Sequence, residues 1–139
     1  MTAKTIAKKL LECFKNGNKV LICGNGGSAQ QANHFAAELI REDFPAISLC
    51  SDISVITATA NDFGYKDIFS KQVSALGEEG DILIGISTSG KSENIHWAYD
   101  MADTLGVEVL DFPRKGKTTE EIQEYQLKLI HKIWRYIRQ

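Results

Sequence analysis

The sequence predicts an α/β fold, a three-layer α-β-α sandwich around a parallel sheet of about four strands. Short apolar runs alternate with segments whose apolar residues recur at helical spacing, which is the alternation typical of parallel sheets. A glycine-rich turn directly follows the first apolar run, and a hydroxyl-rich turn follows the third. The length of 139 residues, with 43% hydrophobic and 24% charged residues, predicts one domain over 1–139.

Four apolar runs are interpreted as buried strands, and amphipathic segments fill the intervals between them. The strand candidates are KVLICG (19–24), AISLCS (46–51), DILIGIS (81–87) and VEVLDFP (107–113). Helices are predicted over 3–15, 29–42, 53–62, 66–77 and 92–106, and from Glu120 to the end. Ser28 is expected to cap the second of these helices.

Composition restricts the classes of partner. The formal net charge of −2 gives no electrostatic footprint for a nucleic acid. No apolar run is long enough to predict a membrane span. The odd number of cysteines, at scattered positions, fits reduced thiols and a cytoplasmic protein better than a disulfide framework.

The first loop, GNGGS (24–28), joins a strand to a helix through glycines. Free backbone N–H groups and the helix dipole make such a turn suited to an oxyanion. The loop also fits a loose G-x-G-x-x-A dinucleotide fingerprint through Gly24, Gly26 and Ala29, with Asp52 where a ribose-binding acid would lie. A tight turn that merely needs glycine is the alternative interpretation.

The second loop, GISTSGKS (85–92), matches the G-x-x-x-x-G-K-[ST] pattern of nucleotide triphosphatases. In that interpretation Lys91 would bind nucleotide phosphates and Asp111 a magnesium ion. Few residues follow this loop to build such an enzyme, and its middle positions carry no extra glycine. The loop instead offers hydroxyls that can donate to a phosphate, on Ser87, Thr88, Ser89 and Ser92.

Two pairs of residues have the chemistry of metal ligands. His34 and Glu38, four residues apart, share one face of a predicted helix, and imidazole with carboxylate suits zinc. On the last helix, Gln123 and His131 are separated by about 12 Å along the axis. One ion could touch both only if the side chains reached toward each other, the helix bent, or a neighbouring subunit supplied one group.

Three long motifs carry a family resemblance, and they fall in the same order as in that family. They are CGNGGS…HFAAEL, ANDFGYKDIFSKQVSALGEEGDILIGISTSGKS and IQEYQLKLIH. Together they closely resemble the phosphoheptose isomerases, members of the sugar isomerase (SIS) fold, which also includes the bacterial initiator-associating proteins. The resemblance implies a flavodoxin-like topology and makes the match to the triphosphatase pattern coincidental. The segment 106–124 holds one strand where the family pattern has two.

The resemblance also implies roles for individual residues. Asn25, Gly26, Gly27 and Ser28 would line the sugar, together with Asn61 and Asp62. The four hydroxyls of the second loop would hold its phosphate. The family's zinc ligands, one ion per site, match His34, Glu38, Gln123 and His131, with Gln123 also near the substrate. The acid/base pair matches Glu38 and His131.

The implied activity is the aldose-ketose isomerisation of sedoheptulose 7-phosphate to D-glycero-D-manno-heptose 7-phosphate, in lipopolysaccharide heptose biosynthesis. The resemblance further implies a cytoplasmic homo-oligomer, a tetramer with sites between subunits. The initiator-associating branch does not keep the whole metal set, so its presence favours the isomerase branch. A non-catalytic SIS module that binds a phosphosugar or a protein is the alternative, and a nucleotide triphosphatase is a more remote one.

The implied chemistry suits these side chains. The isomerisation moves a proton between adjacent carbons through an enediolate, so one group must remove a C–H proton and another must shuttle the hydroxyl proton. Glu38 is the better carbon base and His131 the better oxygen acid/base. Zinc would polarise the carbonyl, and the phosphate would supply binding energy and orientation.

Overall fold

A computed structural model describes residues 1–139 and contains four strands and six α-helices. In chain order these are α1 (Ala3–Lys15), β1 (Val20–Gly24), α2 (Gly27–Arg41), β2 (Ala46–Ser48), α3 (Ile53–Asp62), α4 (Ser70–Leu76), β3 (Ile82–Ile86), α5 (Glu93–Leu105), β4 (Glu108–Asp111) and α6 (Thr119–Ile137). The predicted α/β class is therefore confirmed. None of the helices has the length and apolar character needed to cross a membrane.

Two predicted elements are shorter than expected. The second strand ends at Ser48 rather than at 51, because the Ser48 carbonyl accepts hydrogen bonds from the backbone N–H and the hydroxyl of Ser51. These bonds turn the chain away from the sheet. The single helix predicted over 66–77 is divided into a 3₁₀ turn, Tyr65–Asp67, and α4.

All strand pairs are parallel, and the strand order is β2-β1-β3-β4. This is the flavodoxin-like order, and a single strand follows α5. Between β1 and β3 the chain changes its direction of winding across the sheet. Ligands of open α/β folds bind at the carboxyl ends of the strands at such a switch point, and here the two predicted loops follow β1 and β3.

Helices cover both faces of the sheet, as the three-layer prediction requires. Alternate strand residues point to opposite faces, so Val20 and Ile22 belong to one core and Leu21 and Cys23 to the other. The first core is closed by α1, α2 and α6, and the second mainly by α4 and α5. Burial of both apolar faces is the main stabilising term of the fold.

The amino-terminal edge of the sheet is fixed by Asp81, whose side chain is inaccessible to solvent. Its carboxylate accepts bonds from the Lys19 backbone N–H at 3.0 Å, the Lys19 ammonium at 2.7 Å, the Asn18 amide at 3.0 Å and the Glu78 backbone N–H at 2.8 Å. Burial by itself would raise the pKa of Asp81, but these bonds outweigh it and hold the pKa below its ordinary value.

Replacing this carboxylate tests its contribution to stability. Asp81→Asn should lower the free energy of unfolding at pH 7 by about 2 kcal/mol, because the new amide N–H groups face existing donors. Since the pKa of Asp81 is lower in the folded state, the wild-type advantage is present above about pH 4 and is lost as pH falls through the folded-state pKa. Urea unfolding from pH 7 to pH 3 measures both effects, with the exposed Asp103→Asn as the control. Equal stability of Asp81→Asn and wild type at pH 7 would contradict the account.

Candidate active site

The first loop depends on a close approach of backbones at Gly24. A β-carbon at Gly24 would lie 2.7 Å from the Ser28 carbonyl oxygen and 3.0 Å from that of Ile86. Gly26, with a φ of 58°, then turns the chain into the helix and occupies the N-cap position. The prediction that Ser28 caps α2 is therefore wrong, because this turn starts the helix at Gly27 and leaves Ser28 buried in its first turn.

Asn25 is held by two side chains from other parts of the chain. Its amide forms a reciprocal pair with the amide of Asn94, with both nitrogen–oxygen distances at 2.9 Å. The hydroxyl of Tyr65 donates to the same Asn25 oxygen, Oδ1, at 2.8 Å. The first loop, the start of α5 and the 3₁₀ turn therefore meet at one side chain.

The second loop is shaped by its own hydroxyls. Ser87 Oγ accepts from the Gly90 backbone N–H at 3.0 Å, and Ser89 Oγ accepts from that of Lys91, also at 3.0 Å. Ser92 is the N-cap residue of α5, but its side chain makes no capping bond. The two hydroxyl oxygens are also 3.5 Å apart, so one hydroxyl can donate to the other, which leaves one proton of the pair for a ligand such as a phosphate.

Gln126 of α6 is completely buried, and its side chain anchors the second loop. Its amide nitrogen donates to the Ser87 carbonyl at 3.1 Å and to the Pro113 carbonyl at 3.3 Å. Because β4 leads through Pro113 into the segment before α6, this amide fixes the second loop relative to the end of the sheet.

Lys91 and Asp111, the two residues that the triphosphatase interpretation requires, are not placed to bind a nucleotide. Asp111 accepts two bonds from the Arg114 guanidinium, at 3.0 and 2.7 Å, and one from the Tyr99 hydroxyl at 2.9 Å. Burial would raise the pKa of Asp111, but the bonds from Arg114 and Tyr99 hold it below its ordinary value. Lys91 is exposed. Neither residue is arranged as part of a nucleotide site.

The packing of α6 against α2 brings together three of the four predicted metal ligands. The Nε2 atoms of His34 and His131 are 3.1 Å apart, although the residues are 97 positions apart in the sequence. Glu38 Oε1 lies 3.6 Å from His34 Nε2, and the Glu38 side chain is only 14% exposed. Two imidazoles and a carboxylate thus form one cluster, defined here as the His34–Glu38–His131 cluster.

Gln123, the fourth predicted ligand, is placed elsewhere. Its amide nitrogen would be 2.5 Å from a β-carbon at Gly27, so it lies at the beginning of α2. Gln31 Nε2 donates to the Gln123 carbonyl at 2.8 Å, one turn further along. His34 comes seven residues after Gly27, about 10 Å along the helix. Gln123 therefore contacts the first loop and not the cluster within one chain.

Asn61 and Asp62 are exposed at the end of α3, where the Asn61 amide donates to the Asp62 carboxylate at 3.0 Å. The structure does not bring them into contact with either loop. Asp52, the candidate ribose acid, instead caps α3 by accepting from the backbone N–H groups of Ser54 and Val55. Asp52 is therefore not available as the ribose-binding acid that the dinucleotide interpretation requires.

Three polar residues of the site were missed by the sequence analysis: Tyr65, Asn94 and Gln126. For two of them, the sequence contains a feature from which a role in the site could have been predicted. Asn94 lies in the first turn of a helix that begins at the switch point, and Gln126 is a polar residue within the apolar stripe of α6. For Tyr65 there is no such feature, because its bond to Asn25 joins segments 40 residues apart.

A model of the SIS domain matches residues 2–112 of the chain. The phosphoheptose isomerase of Helicobacter pylori strain Shi470 is 45% identical over 144 residues, a match that covers 88% of this chain and 75% of the relative. The chain belongs to the phosphoheptose isomerase family. A phosphoheptose isomerase of Campylobacter jejuni is 43% identical, covering 92% of this chain and 81% of its own.

Solved phosphoheptose isomerases share the fold. The structure from Neisseria gonorrhoeae has a TM-score of 0.94 at 37% identity and covers 98% of this chain and 84% of its own. The structure from Francisella tularensis has a TM-score of 0.93 at 36% identity with the same coverage. The resemblance to this family is therefore confirmed. The match of the second loop to the triphosphatase pattern is a chance sequence match within a sugar isomerase fold.

Proposed function

We propose that the protein is an aldose-ketose isomerase that converts sedoheptulose 7-phosphate to D-glycero-D-manno-heptose 7-phosphate. Relatives named phosphoheptose isomerase at up to 45% identity supply the substrate class. The observation that carries the proposal is the His34–Glu38–His131 cluster, because it gathers a carboxylate and two imidazoles from two helices, one of which begins at the predicted sugar loop.

In this proposal the two loops bind the substrate. The hydroxyls of the second loop donate to the phosphate, and those of Thr88 and Ser92 are the freest to do so, because neither side chain forms a hydrogen bond within the chain. Asn25 and the backbone of Gly26 and Gly27 contact the sugar hydroxyls, with Asn61 and Asp62 as further contacts. Binding the phosphate away from the reacting carbons orients C1 and C2 without itself changing the chemical step.

Glu38 and His131 perform the proton transfers in this proposal. Glu38 removes the proton from the carbon next to the carbonyl, and the resulting enediolate is reprotonated on the neighbouring carbon. His131 moves the proton between the two oxygens. Both residues lie within 3.1–3.6 Å of His34 Nε2, so His34 orients both members of the pair.

The cluster fits a zinc ion by its chemistry. Two nitrogen ligands at about 2.0–2.1 Å from one tetrahedral zinc ion are separated by about 3.3 Å, close to the observed 3.1 Å between the two Nε2 atoms. No three His, Cys, Asp or Glu side chains in the chain are placed to hold a metal ion as they stand, so zinc binding would require the side chains of this cluster to move closer together. We propose that His34, Glu38 and His131 hold zinc, which when bound would polarise the substrate carbonyl.

Replacing the proposed base tests the function. Glu38→Gln keeps the shape of the side chain but cannot accept the carbon proton, so kcat should fall by at least about a hundredfold, the lower range for general-base catalysis. The Kd for sedoheptulose 7-phosphate, measured by calorimetry, should stay within a few-fold of the wild-type value. Turnover is followed by aldose formation.

Glu42→Gln, at the end of the same helix and outside the cluster, is the matched control and should retain wild-type kcat. Full activity of Glu38→Gln would contradict the assignment of the base. Binding of the heptose by wild type without any turnover would overturn the proposed enzyme and support the non-catalytic SIS module.

The proposal includes a homo-oligomer, and α3 supports it. Although ISVITATAND is largely apolar or β-branched, none of its residues is buried in the chain. Ile53 is 74% exposed and the adjacent Phe63 is 59% exposed. Exposed apolar side chains at both ends of one helix support an interaction site there. A second copy of the chain is the proposed partner, and it would also offer its Gln123 to a neighbouring site.

A charge on this surface should disrupt the oligomer. Ile53→Asp places a carboxylate in the first turn of α3, where the helix dipole tolerates it, so the chain should still fold. Light scattering at micromolar concentration should show an oligomer for wild type and a smaller species for this variant. Ile40→Asp, at an exposed position near the end of α2 and beside the amino-terminal edge of the sheet, is the control. A monomeric wild type, or an unchanged Ile53→Asp oligomer, would contradict the proposal.

The proposed enzyme is cytoplasmic and supplies heptose phosphate to lipopolysaccharide biosynthesis. Its three cysteines, Cys13, Cys23 and Cys50, are all free, and a reducing compartment would keep them so. Burial raises the pKa of the Cys13 thiol to about 11, which keeps this thiol protonated and inert.

A further inference from the structure

We infer that Tyr65 and Asn94 are positioning residues that fix Asn25 as a hydrogen-bond donor to the sugar. The inference rests on the proposed function, because it concerns how the first loop recognises the substrate. Neither residue touches the predicted acid/base cluster, and both would act only through the Asn25 amide.

The hydrogen bonds around Asn25 account for nearly all of its capacity. Its Oδ1 accepts from the Asn94 amide at 2.9 Å and from the Tyr65 hydroxyl at 2.8 Å, which uses both lone pairs. One N–H of its Nδ2 group donates to Asn94 Oδ1 at 2.9 Å. A single N–H therefore remains, and Asn25 can offer the sugar only a donor.

The amide pair alone does not determine this polarity. If both amides turned over together, the two bonds between Asn25 and Asn94 would remain, but Asn25 would then offer an acceptor to the sugar. The phenol hydroxyl breaks this symmetry, because it donates to Oδ1 in the observed orientation, whereas in the turned-over pair it would have to accept from Nδ2, and a phenol hydroxyl is a better donor than acceptor. Tyr65 thus selects the orientation, while Asn94 keeps the amide in the plane of the pair.

The two partners of Asn25 differ in burial. Asn94 is 3% exposed and lies in the first turn of α5, two residues after Ser92 of the phosphate loop. Tyr65 is 58% exposed, on the 3₁₀ turn that follows Asn61 and Asp62. The three side chains therefore connect the predicted sugar loop, phosphate loop and α3 segment.

The kinetic constants of two variants test the inference. Tyr65→Phe removes the hydroxyl, so both amide orientations become populated and the KM for sedoheptulose 7-phosphate should rise about two- to fivefold. Asn94→Asp is isosteric but places an acceptor against Asn25 Oδ1, so its KM should rise about tenfold or more. In both variants kcat should change by less than about twofold, since binding is lost equally from ground and transition states.

A double variant separates positioning from direct contact. In an Asn25→Ala background, Tyr65→Phe should raise KM no further, because the acceptor of its hydroxyl is absent. A Tyr65 that touches the sugar directly, or one that only supports the fold, would still change KM there. Tyr136→Phe and Asn16→Asp, both on exposed positions away from the two loops, are matched controls and should retain wild-type KM.

The possible failures are distinguishable. A wild type that neither binds nor isomerises the heptose would overturn the proposed function and this inference together. If the wild type is active and both Tyr65→Phe and Asn94→Asp have the wild-type KM, the inference alone is overturned. The inference is also overturned if Tyr65→Phe raises KM by the same factor in the wild type and in the Asn25→Ala background. Circular dichroism and urea unfolding of each variant identify any loss of fold.

Discussion

The parallel pairing of β1 with β3 is the constraint on which the rest of the site depends. It places Gly24 opposite Ile86, so the loops that follow the two strands begin side by side. Only glycine fits at Gly24, because a β-carbon there would meet the Ser28 and Ile86 carbonyl oxygens. The same proximity lets Asn25 reach Asn94 across the switch point and couples the two loops through one amide pair.

The His34–Glu38–His131 cluster depends on a different interaction, the apolar packing of α6 against α1 and α2. Leu129, Ile130 and Ile133 are buried in the core on that side of the sheet. Because successive helix residues are rotated by about 100°, this stripe determines the face on which His131 lies. The hydrophobic contact thereby places an imidazole from one end of the chain 3.1 Å from His34.

Much of this arrangement could be predicted from the sequence, for identifiable reasons. Continuous apolar runs marked the four strands, and the position of GNGGS and GISTSGKS directly after two of them located both loops. The end of β2 could not be predicted, because the side-chain and backbone bonds at Ser48 that turn the chain leave no periodic signal. The bond between Tyr65 and Asn25 likewise depends on tertiary packing alone.

The predicted metal ligands show the limit of sequence spacing most clearly. The i, i+4 relation of His34 and Glu38 correctly placed the two side chains together. The eight-residue spacing of Gln123 and His131 left several arrangements open, and the structure places Gln123 against Gly27. Helical rise separates the two residues by about 12 Å. A role for Gln123 in the same cluster would therefore depend on a neighbouring copy.

The metal dependence of turnover is the most direct test of the claim that the His34–Glu38–His131 cluster is the chemical centre. Protein stripped with a chelator would be titrated with zinc while the isomerisation of sedoheptulose 7-phosphate is followed. The account predicts that stripping abolishes turnover, that about one zinc per chain restores it, and that His34→Ala prevents this restoration. Full turnover by metal-free protein, or zinc-restored turnover in His34→Ala equal to that of wild type, would contradict it.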